Sequence, residues 1–236
     1  MIELWAGPTP NARKVSVFLE EAGLDWQWHY VDMLDGDQFK PEFLALNPNN
    51  KFPALRDSDG PNGETITLWE SGAILFYLAE KTGRFLPLSG TDRYQVMQWV
   101  MFQMAGVGPM FGQFAHFFYY AKEKVPYAID RYQKESERLM RVMDQHLARR
   151  TYFVGEEYSI ADMCVLPWVT NRLEARPGTR PHIEAWAARL RERPAVQRGL
   201  VAFDEKVRPE IIQGGLKGFD DQHRSVLFGE EQYRER

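Results

Sequence analysis

The spacing of apolar residues divides the chain into a mixed first third and a helical remainder. In residues 1–83, short alternating stretches bounded by glycine, proline and polar turns predict strands, and apolar positions three and four residues apart predict helices. The predicted strands cover 2–4, 26–31, a stretch that begins in 52–55, and 65–69. The predicted helices cover 11–22, 38–46 and 71–82.

The order of these elements predicts a thioredoxin-like domain. Strand and helix alternate at the start, which implies at least one parallel pair of strands, and a hairpin and a closing helix follow. Residues 84–91 contain Pro87 and Gly90 but no periodic run, so we assign them as a linker.

Helical periodicity replaces the strand pattern after the linker. Helices are predicted at 92–121, 128–149, 159–173, 180–191 and 195–203. In the first of them, Gly106, Gly108 and Pro109 predict a kink or break. In YSIADM, Ser159 and Asp162 have the spacing of a reciprocal helix cap.

These patterns predict two domains and an extension. An α/β thioredoxin-like domain covers residues 1–83, and an all-α helical domain covers 92–203. Residues 204–236 are charged and poorly periodic, so we expect an extended or partly ordered segment that could fold over a pocket or over a partner subunit.

Composition and charge narrow the class of protein. The 236 residues are 44% hydrophobic and 26% charged with a net charge of −4, which is typical of soluble globular proteins. There is no basic run for nucleic acid and no apolar stretch long enough for a membrane span.

Cys164 is the single cysteine, which excludes an intrachain disulfide, and a cytoplasmic location is the expectation. No His, Cys or carboxylate cluster has the spacing of a metal site, so we predict no metal.

Three short motifs carry candidate chemistry, and the first is Phe52-Pro53. A proline that enters a strand in this order of elements predicts a cis peptide bond, which would turn the Phe52 N–H and C=O toward a groove. An extended peptide could then add to them like another strand. The alternative is an ordinary trans proline in a turn.

The second motif is Glu70-Ser71, at the predicted start of a helix. The Ser71 hydroxyl and the free backbone N–H groups there suit a carboxylate, while Glu70 suits an ammonium group. Together they fit the α-carboxylate and α-amino groups of an amino acid. The alternative is that Ser71 only caps the helix.

The third motif is GPTPNARK, where a first strand meets a first helix without a cysteine. Thr9 and Asn11 could donate hydrogen bonds to a thiolate there and so lower the pKa of a thiol that arrives on a ligand. The alternative is that they are only turn and cap residues. Together the three motifs fit an extended γ-glutamyl tripeptide with a thiol, glutathione, whose other carboxylate could pair with Lys51.

The chain resembles the cytosolic glutathione transferases and, among them, is similar to the bacterial Nu class of glutathione-dependent disulfide reductases. The stretches that carry the resemblance are PTPNARKV, FLEEAGLDW, QFKPEFLALNPNNKFPAL, LWESGAILFYLAEKTG, GVGPMFGQ, PYAIDRYQKE and YSIADM. The resemblance implies a homodimer and a site for two glutathiones, or one oxidised glutathione, per subunit. It implies thiol contacts by Thr9 and Asn11 and glutathione contacts by Gln38 and Arg131. It also assigns Phe52, Pro53, Glu70 and Ser71 to glutathione binding.

The activity expected from this resemblance is reduction of small disulfides by bound glutathione. Its rivals are conjugation or thioether cleavage with the same thiolate, and glutathione binding without catalysis. We expect no catalytic role for Cys164, in an apolar helix, or for His116, which has no evident base partner. The aromatic segment 114–120 could line the second-substrate pocket, or it could pack in the core and a dimer interface.

Overall fold

Residues 1–83 fold around a mixed sheet. The computed structural model describes residues 1–175, 178–207 and 219–235. The strands are β1 (Ile2–Ala6), β2 (Trp26–Tyr30), β3 (Ala54–Asp57) and β4 (Ile66–Trp69), in the spatial order β2-β1-β3-β4. Strand β1 pairs in parallel with β2 and antiparallel with β3, and β3 pairs antiparallel with β4. The predicted parallel pair and hairpin are confirmed.

The helices of this domain are α1 (Pro10–Ala22), α2 (Pro41–Leu44) and α3 (Ser71–Thr82). The single helix predicted over 38–46 was wrong in its extent, because a 3-10 turn at Asp37–Phe39 precedes α2. Pro41 is the cause. Its ring occupies the first helical position of α2, and proline lacks the N–H that would continue a helix from the preceding turn.

In the second domain, all regular secondary structure among the described residues up to 207 is helical. Its helices are α4 (Thr91–Phe102), α5 (Gly108–Ala115), α6 (Pro126–Leu147), α7 (Ile160–Ala175), α8 (Pro181–Arg191) and α9 (Pro194–Val201). A π-helical turn at Gln103–Val107 separates α4 from α5, and another at His116–Tyr120 follows α5. The break expected near Gly106 and Pro109 is therefore a wider helical turn.

The predicted cap at the start of α7 is present. The Ser159 hydroxyl accepts from the Ala161 N–H, and the Asp162 carboxylate accepts from the Ser159 N–H and hydroxyl. The same buried carboxylate accepts from the Phe153 N–H and from Trp186 Nε1. One local motif thus also ties α7 to α8 and to the loop before it.

Helix α1 joins the two domains. It packs against α3 on one side and against α7 and α9 on the other. At the crossing with α9, the Ser16 hydroxyl donates to the Gly199 carbonyl at 2.6 Å. A Cβ on Gly199 would lie 2.7 Å from the Val17 backbone nitrogen, so only glycine permits this close approach.

The described part of the C-terminal extension is ordered and mostly helical, which agrees with the second of the two expected states, a partly ordered segment. It forms α10 (Asp221–Phe228) and α11 (Glu230–Tyr233) after a 3-10 turn at Asp204–Lys206. The Asp220 and His223 side chains each bond the other residue's backbone N–H and so cap α10. Phe219 and Val226 are buried, because α10 packs on its own subunit.

No helix in the described parts of the chain is both long and apolar enough to cross a bilayer.

Candidate functional site

The N-terminus of α1 presents the Thr9 hydroxyl. Thr9 is the N-cap, and its Oγ1 accepts from the Ala12 N–H at 3.3 Å. Since this bond uses only a lone pair, the hydroxyl hydrogen can still be donated to a ligand. The first turn of α1 contains no acidic side chain, so the partial positive charge of the helix end is not offset locally.

The Asn11 side chain is oriented by the helical domain. Its Oδ1 accepts from Trp168 Nε1 of α7 at 2.9 Å. An indole N–H can only donate, so this bond fixes the amide with its oxygen toward Trp168 and leaves the Nδ2 hydrogens as donors. The structure thus places two side-chain donors, from Thr9 and Asn11, at one helix end. The sequence did not single out Trp168, because a tryptophan in an apolar helix looks like a core residue.

The Phe52–Pro53 peptide bond is cis, as predicted. Within the described residues, the Phe52 N–H and C=O take part in no hydrogen bond, whereas the neighbouring Lys51 carbonyl accepts from Asn47 Nδ2. The loop before Thr9 lies close to Val31 and to the Phe52 ring because Gly7 lacks a side chain. A Cβ on Gly7 would lie 2.9 Å from the Val31 carbonyl oxygen and 3.0 Å from the Phe52 ring. Gly7 thus lets the turn before Thr9 pack against the Phe52 ring.

Glu70 and Ser71 begin α3 in an uncommon backbone geometry. Glu70 is exposed, with a φ of 71° and a ψ of 110°, a region that side chains rarely adopt. Such a conformation costs on the order of 1–3 kcal/mol and is found mainly where function requires it. Ser71 is buried as the first residue of α3, and its Oγ accepts from Lys14 Nζ at 3.2 Å.

Lys14 connects the two ends of the candidate site, although no sequence pattern indicates this role. It lies on α1, one turn after Asn11, and its fully buried ammonium reaches Ser71 on α3. The Thr9–Asn11 turn and the Glu70–Ser71 turn therefore belong to one connected structure.

Three other predicted residues have no described contact with these turns. Gln38 is buried, and its Nε2 donates to the Met33 carbonyl while its Oε1 has no partner among the described residues. Lys51 is exposed, and its Nζ donates to Gln232 Oε1 of α11 at 2.6 Å. Arg131 is exposed on α6, with Glu135 at 3.7 Å.

The C-terminal segment lies beside the candidate site. Gln232 bonds both Lys51 and the Asn50 side chain, so α11 covers the loop before Phe52. Helix α10 packs its Phe228 ring against His116 and Tyr120. The described part of the extension therefore packs on its own subunit.

The side chains expected to be inert are held in structural contacts. The buried Cys164 thiol donates to Gln103 Oε1 at 3.0 Å, and burial raises its pKa, which disfavours the thiolate. His116 packs edge-on against Phe117 and Phe228, and partial burial lowers its pKa. No group of three or more His, Cys, Asp or Glu side chains in the described ranges could hold a metal ion.

The aromatic segment 114–120 packs within the subunit. Phe114 stacks on Phe118, Phe117 stacks on Tyr132 of α6, and Tyr120 contacts Phe219 of the C-terminal segment. Phe118 and Tyr119 remain exposed.

Comparison with known proteins places this geometry in a family. Residues 9–81 match the glutathione S-transferase N-terminal domain, and residues 105–194 match the glutathione S-transferase C-terminal domain. The chain is 46% identical over 204 residues to the disulfide-bond oxidoreductase YfcG of Escherichia coli K12, covering 85% of this chain and 95% of that protein.

Two solved structures are similar throughout most of their length. A glutathione transferase family member from Pseudomonas fluorescens, with two glutathione bound, has a TM-score of 0.81 and 44% identity, covering 84% of this chain and 92% of that chain. A glutathione transferase from Pseudomonas putida, with one glutathione disulfide bound per subunit, has a TM-score of 0.80 and 47% identity, covering 84% and 90%. On the matches to both domains and on this overall likeness, the chain belongs to the glutathione S-transferase family.

Proposed function

We propose that this protein is a glutathione-dependent disulfide-bond oxidoreductase that uses the thiolate of bound glutathione to reduce small disulfides. The observation that carries the proposal is the pair of donors at the start of α1. The Thr9 hydroxyl keeps a free hydrogen, and Trp168 holds the Asn11 amide so that it donates. The protein's own thiol, Cys164, is buried. The name of the Escherichia coli relative and the glutathione disulfide in the Pseudomonas putida structure support the same activity.

Glutathione would bind in an extended conformation. The Ser71 hydroxyl and the α3 N-terminus would hold the γ-glutamyl carboxylate, and Glu70 would hold its ammonium group. The Phe52 N–H and C=O, next to Pro53, would pair with the cysteinyl backbone like a strand. This pose brings the sulfur toward Thr9 and Asn11.

Three further residues are proposed to complete the glutathione site. We propose that Lys51 pairs with the glycyl carboxylate after exchanging its bond to Gln232. Gln38, with its unpartnered buried Oε1, and Arg131, which is exposed, are proposed to contact a second glutathione or the second half of oxidised glutathione.

The reaction takes two exchange steps. The bound thiolate attacks one sulfur of the disulfide, a new S–S bond forms, and the other sulfur leaves as a thiolate that takes a proton from solvent. A second glutathione thiolate then attacks the glutathione sulfur of the mixed disulfide, which releases the substrate's remaining thiol and oxidised glutathione. The two donors lower the pKa of the first thiol, and binding supplies proximity.

The first test is reduction of bis(2-hydroxyethyl) disulfide by glutathione, followed as oxidised glutathione. We expect turnover well above the rate with free glutathione. Replacing both donors, in Thr9→Ala with Asn11→Ala, should lower kcat/KM by about 100-fold, since each donor acts on the reacting anion. Thr91→Ala is the matched control, because Thr91 also begins a helix but lies at α4.

Three results would count against the proposal. Turnover no faster than free glutathione in wild type would refute disulfide reduction, and binding of glutathione without any turnover would favour a non-catalytic role. Faster turnover of a chloronitrobenzene or of a benzylic or keto thioether than of the disulfide would favour conjugation or thioether cleavage.

We also propose that the protein is a homodimer, with a cytoplasmic location. Trp69 at the end of β4 and Tyr94 and Met101 on α4 are exposed, and the last two lie seven residues apart on one helix face. Light scattering after gel filtration should give twice the mass of the 27.5 kDa chain. Met101→Glu should shift the mass toward the monomer, whereas Leu88→Glu, which changes an exposed apolar side chain in the linker, should not. A monomeric wild type would refute the dimer.

A further inference from the structure

Lys14 is a buried cation that the proposed reaction does not use directly. Its side chain is fully buried, and the Nζ donates to Gln103 Oε1, to Ser71 Oγ at 3.2 Å and to Met104 Sδ at 3.3 Å. All three acceptors are neutral. Among the described residues, no carboxylate oxygen lies within 4.0 Å of the Nζ.

An ammonium group without a counter-charge is unfavourable in the interior. Burial lowers the pKa of Lys14, and its interactions with Cys164 and Glu70 only partly oppose that effect. The surrounding cluster is poorly satisfied as well. Gln103 Oε1 accepts from both Lys14 and Cys164, whereas its Nε2 has no partner in the described structure. This arrangement is expected where a ligand completes the charge balance.

The contact between Lys14 Nζ and Ser71 Oγ determines where the serine hydroxyl hydrogen can be donated. An ammonium can only donate, so Lys14 takes a lone pair of Ser71 Oγ and leaves the hydroxyl hydrogen to be donated elsewhere. In the described structure the only other hydrogen-bond partner of Ser71 Oγ is the Met104 sulfur at 3.6 Å, a weak acceptor. A carboxylate at the N-terminus of α3 would be a much stronger acceptor for that hydrogen.

We propose that Lys14 is a positioning residue that makes the Ser71 end of the site selective for a carboxylate. It does not touch the ligand. It places a positive charge behind Ser71 and directs the serine hydrogen outward, so that a bound carboxylate supplies the missing counter-charge through one intervening hydroxyl. This inference rests on the proposed function, in which the carboxylate belongs to the γ-glutamyl residue of glutathione.

The test compares two peptides that differ only in this carboxylate. Glutathione and 4-aminobutanoyl-cysteinyl-glycine, which lacks the γ-glutamyl α-carboxylate, are titrated calorimetrically into wild type and Lys14→Met. We expect Lys14→Met to weaken glutathione binding by about tenfold or more, as for loss of a charge-assisted hydrogen bond, and to change binding of the analogue by less than about twofold. In turnover, the KM for glutathione should rise while kcat at saturation stays within about threefold.

Two further variants separate charge from packing. Lys14→Gln keeps a donor for Ser71 without the charge, and it should lose the preference for glutathione as Lys14→Met does. Cys164→Ala removes the other donor to Gln103 and should keep the wild-type preference. If Lys14→Met fails to fold, Lys14→Gln and Cys164→Ala still test the role of Lys14.

The outcomes distinguish this inference from the proposed function. Equal weakening of both peptides by Lys14→Met, or a wild-type preference retained in Lys14→Gln, would overturn the role of Lys14. Equal affinity of wild type for the two peptides would also overturn it. A wild type that binds neither peptide would instead refute the proposed function.

Discussion

At the scale of single residues, one hydrogen bond decides which end of the Asn11 amide is turned toward Trp168 and which end is left for the proposed thiolate. Trp168→Phe keeps an aromatic ring, although a smaller one, and removes the donor to Asn11 Oδ1. The amide can then rotate and present its oxygen to a thiolate, which it would repel. We expect kcat/KM for disulfide reduction to fall about tenfold, because a net hydrogen bond is worth on the order of 1 kcal/mol.

The matched control for this prediction is Trp26→Phe. Trp26 Nε1 donates to Glu20, so the substitution also removes an indole hydrogen bond, but at the far end of α1. If Trp168→Phe had the same kcat/KM as the wild type, the hydrogen bond from Trp168 would not be needed to orient the Asn11 amide.

The candidate site residues that stand at a local sequence signal could be proposed from the sequence, and those that are held by distant contacts could not. Thr9, Asn11 and Ser71 stand at helix starts, where a hydroxyl or amide side chain either caps the helix or is available to a ligand. Lys14, in the same short stretch, looks like a surface lysine of the first helix. Its burial follows from contacts with residues distant in the sequence, among them Gln103, which is 89 positions away in the chain.

At the scale of elements, the crossing of α1 and α9 depends on Gly199, which has no side chain. Gly199→Ala would drive a methyl group against the Val17 backbone, which cannot move without shifting α1. We expect the free energy of unfolding to fall by about 2–3 kcal/mol, within the usual range for overpacking. Denaturant titration followed by circular dichroism measures it.

Gly112→Ala, in α5, is the control. The structure has nothing within 4 Å of a Cβ there, and alanine is the better helix former by about 1 kcal/mol, so stability should stay equal or rise slightly. A Gly199→Ala variant as stable as Gly112→Ala would show that the two helices can separate freely.

Most elements followed from periodicity, and the exceptions have physical causes. The strands and the helices α1, α3, α7 and α8 lie within a few residues of their predicted positions, since each has an apolar face and a local start or stop signal. Helix α10 was missed because its sequence DQHRSVLF is mostly polar. Its stability comes from the cap at Asp220 and from aromatic contacts with Tyr120, neither of which changes the apolar period.

At the scale of the whole molecule, the C-terminal segment competes for a residue of the candidate site. Gln232 holds the Lys51 ammonium at 2.6 Å, where the proposal places a carboxylate of glutathione. Gln232→Ala should free Lys51 and lower the KM for glutathione by about two- to tenfold, which corresponds to one net hydrogen bond.

Gln197→Ala is the control for this change. Gln197 also bonds through its amide, but its partner is the Arg191 carbonyl between α8 and α9. A raised KM in Gln232→Ala would mean that the segment assists glutathione binding instead of competing with it.

The donor pair and the buried cation both depend on contacts that cross the domain boundary. Trp168 orients Asn11 and Gln103 receives Lys14, so neither turn of the thioredoxin-like domain is complete by itself. This has a consequence for chimeras built by exchanging helical halves between relatives. On the proposed function, we expect a transplanted half to preserve thiol chemistry only if it brings an indole and an amide to these two positions, however well its outer surface matches.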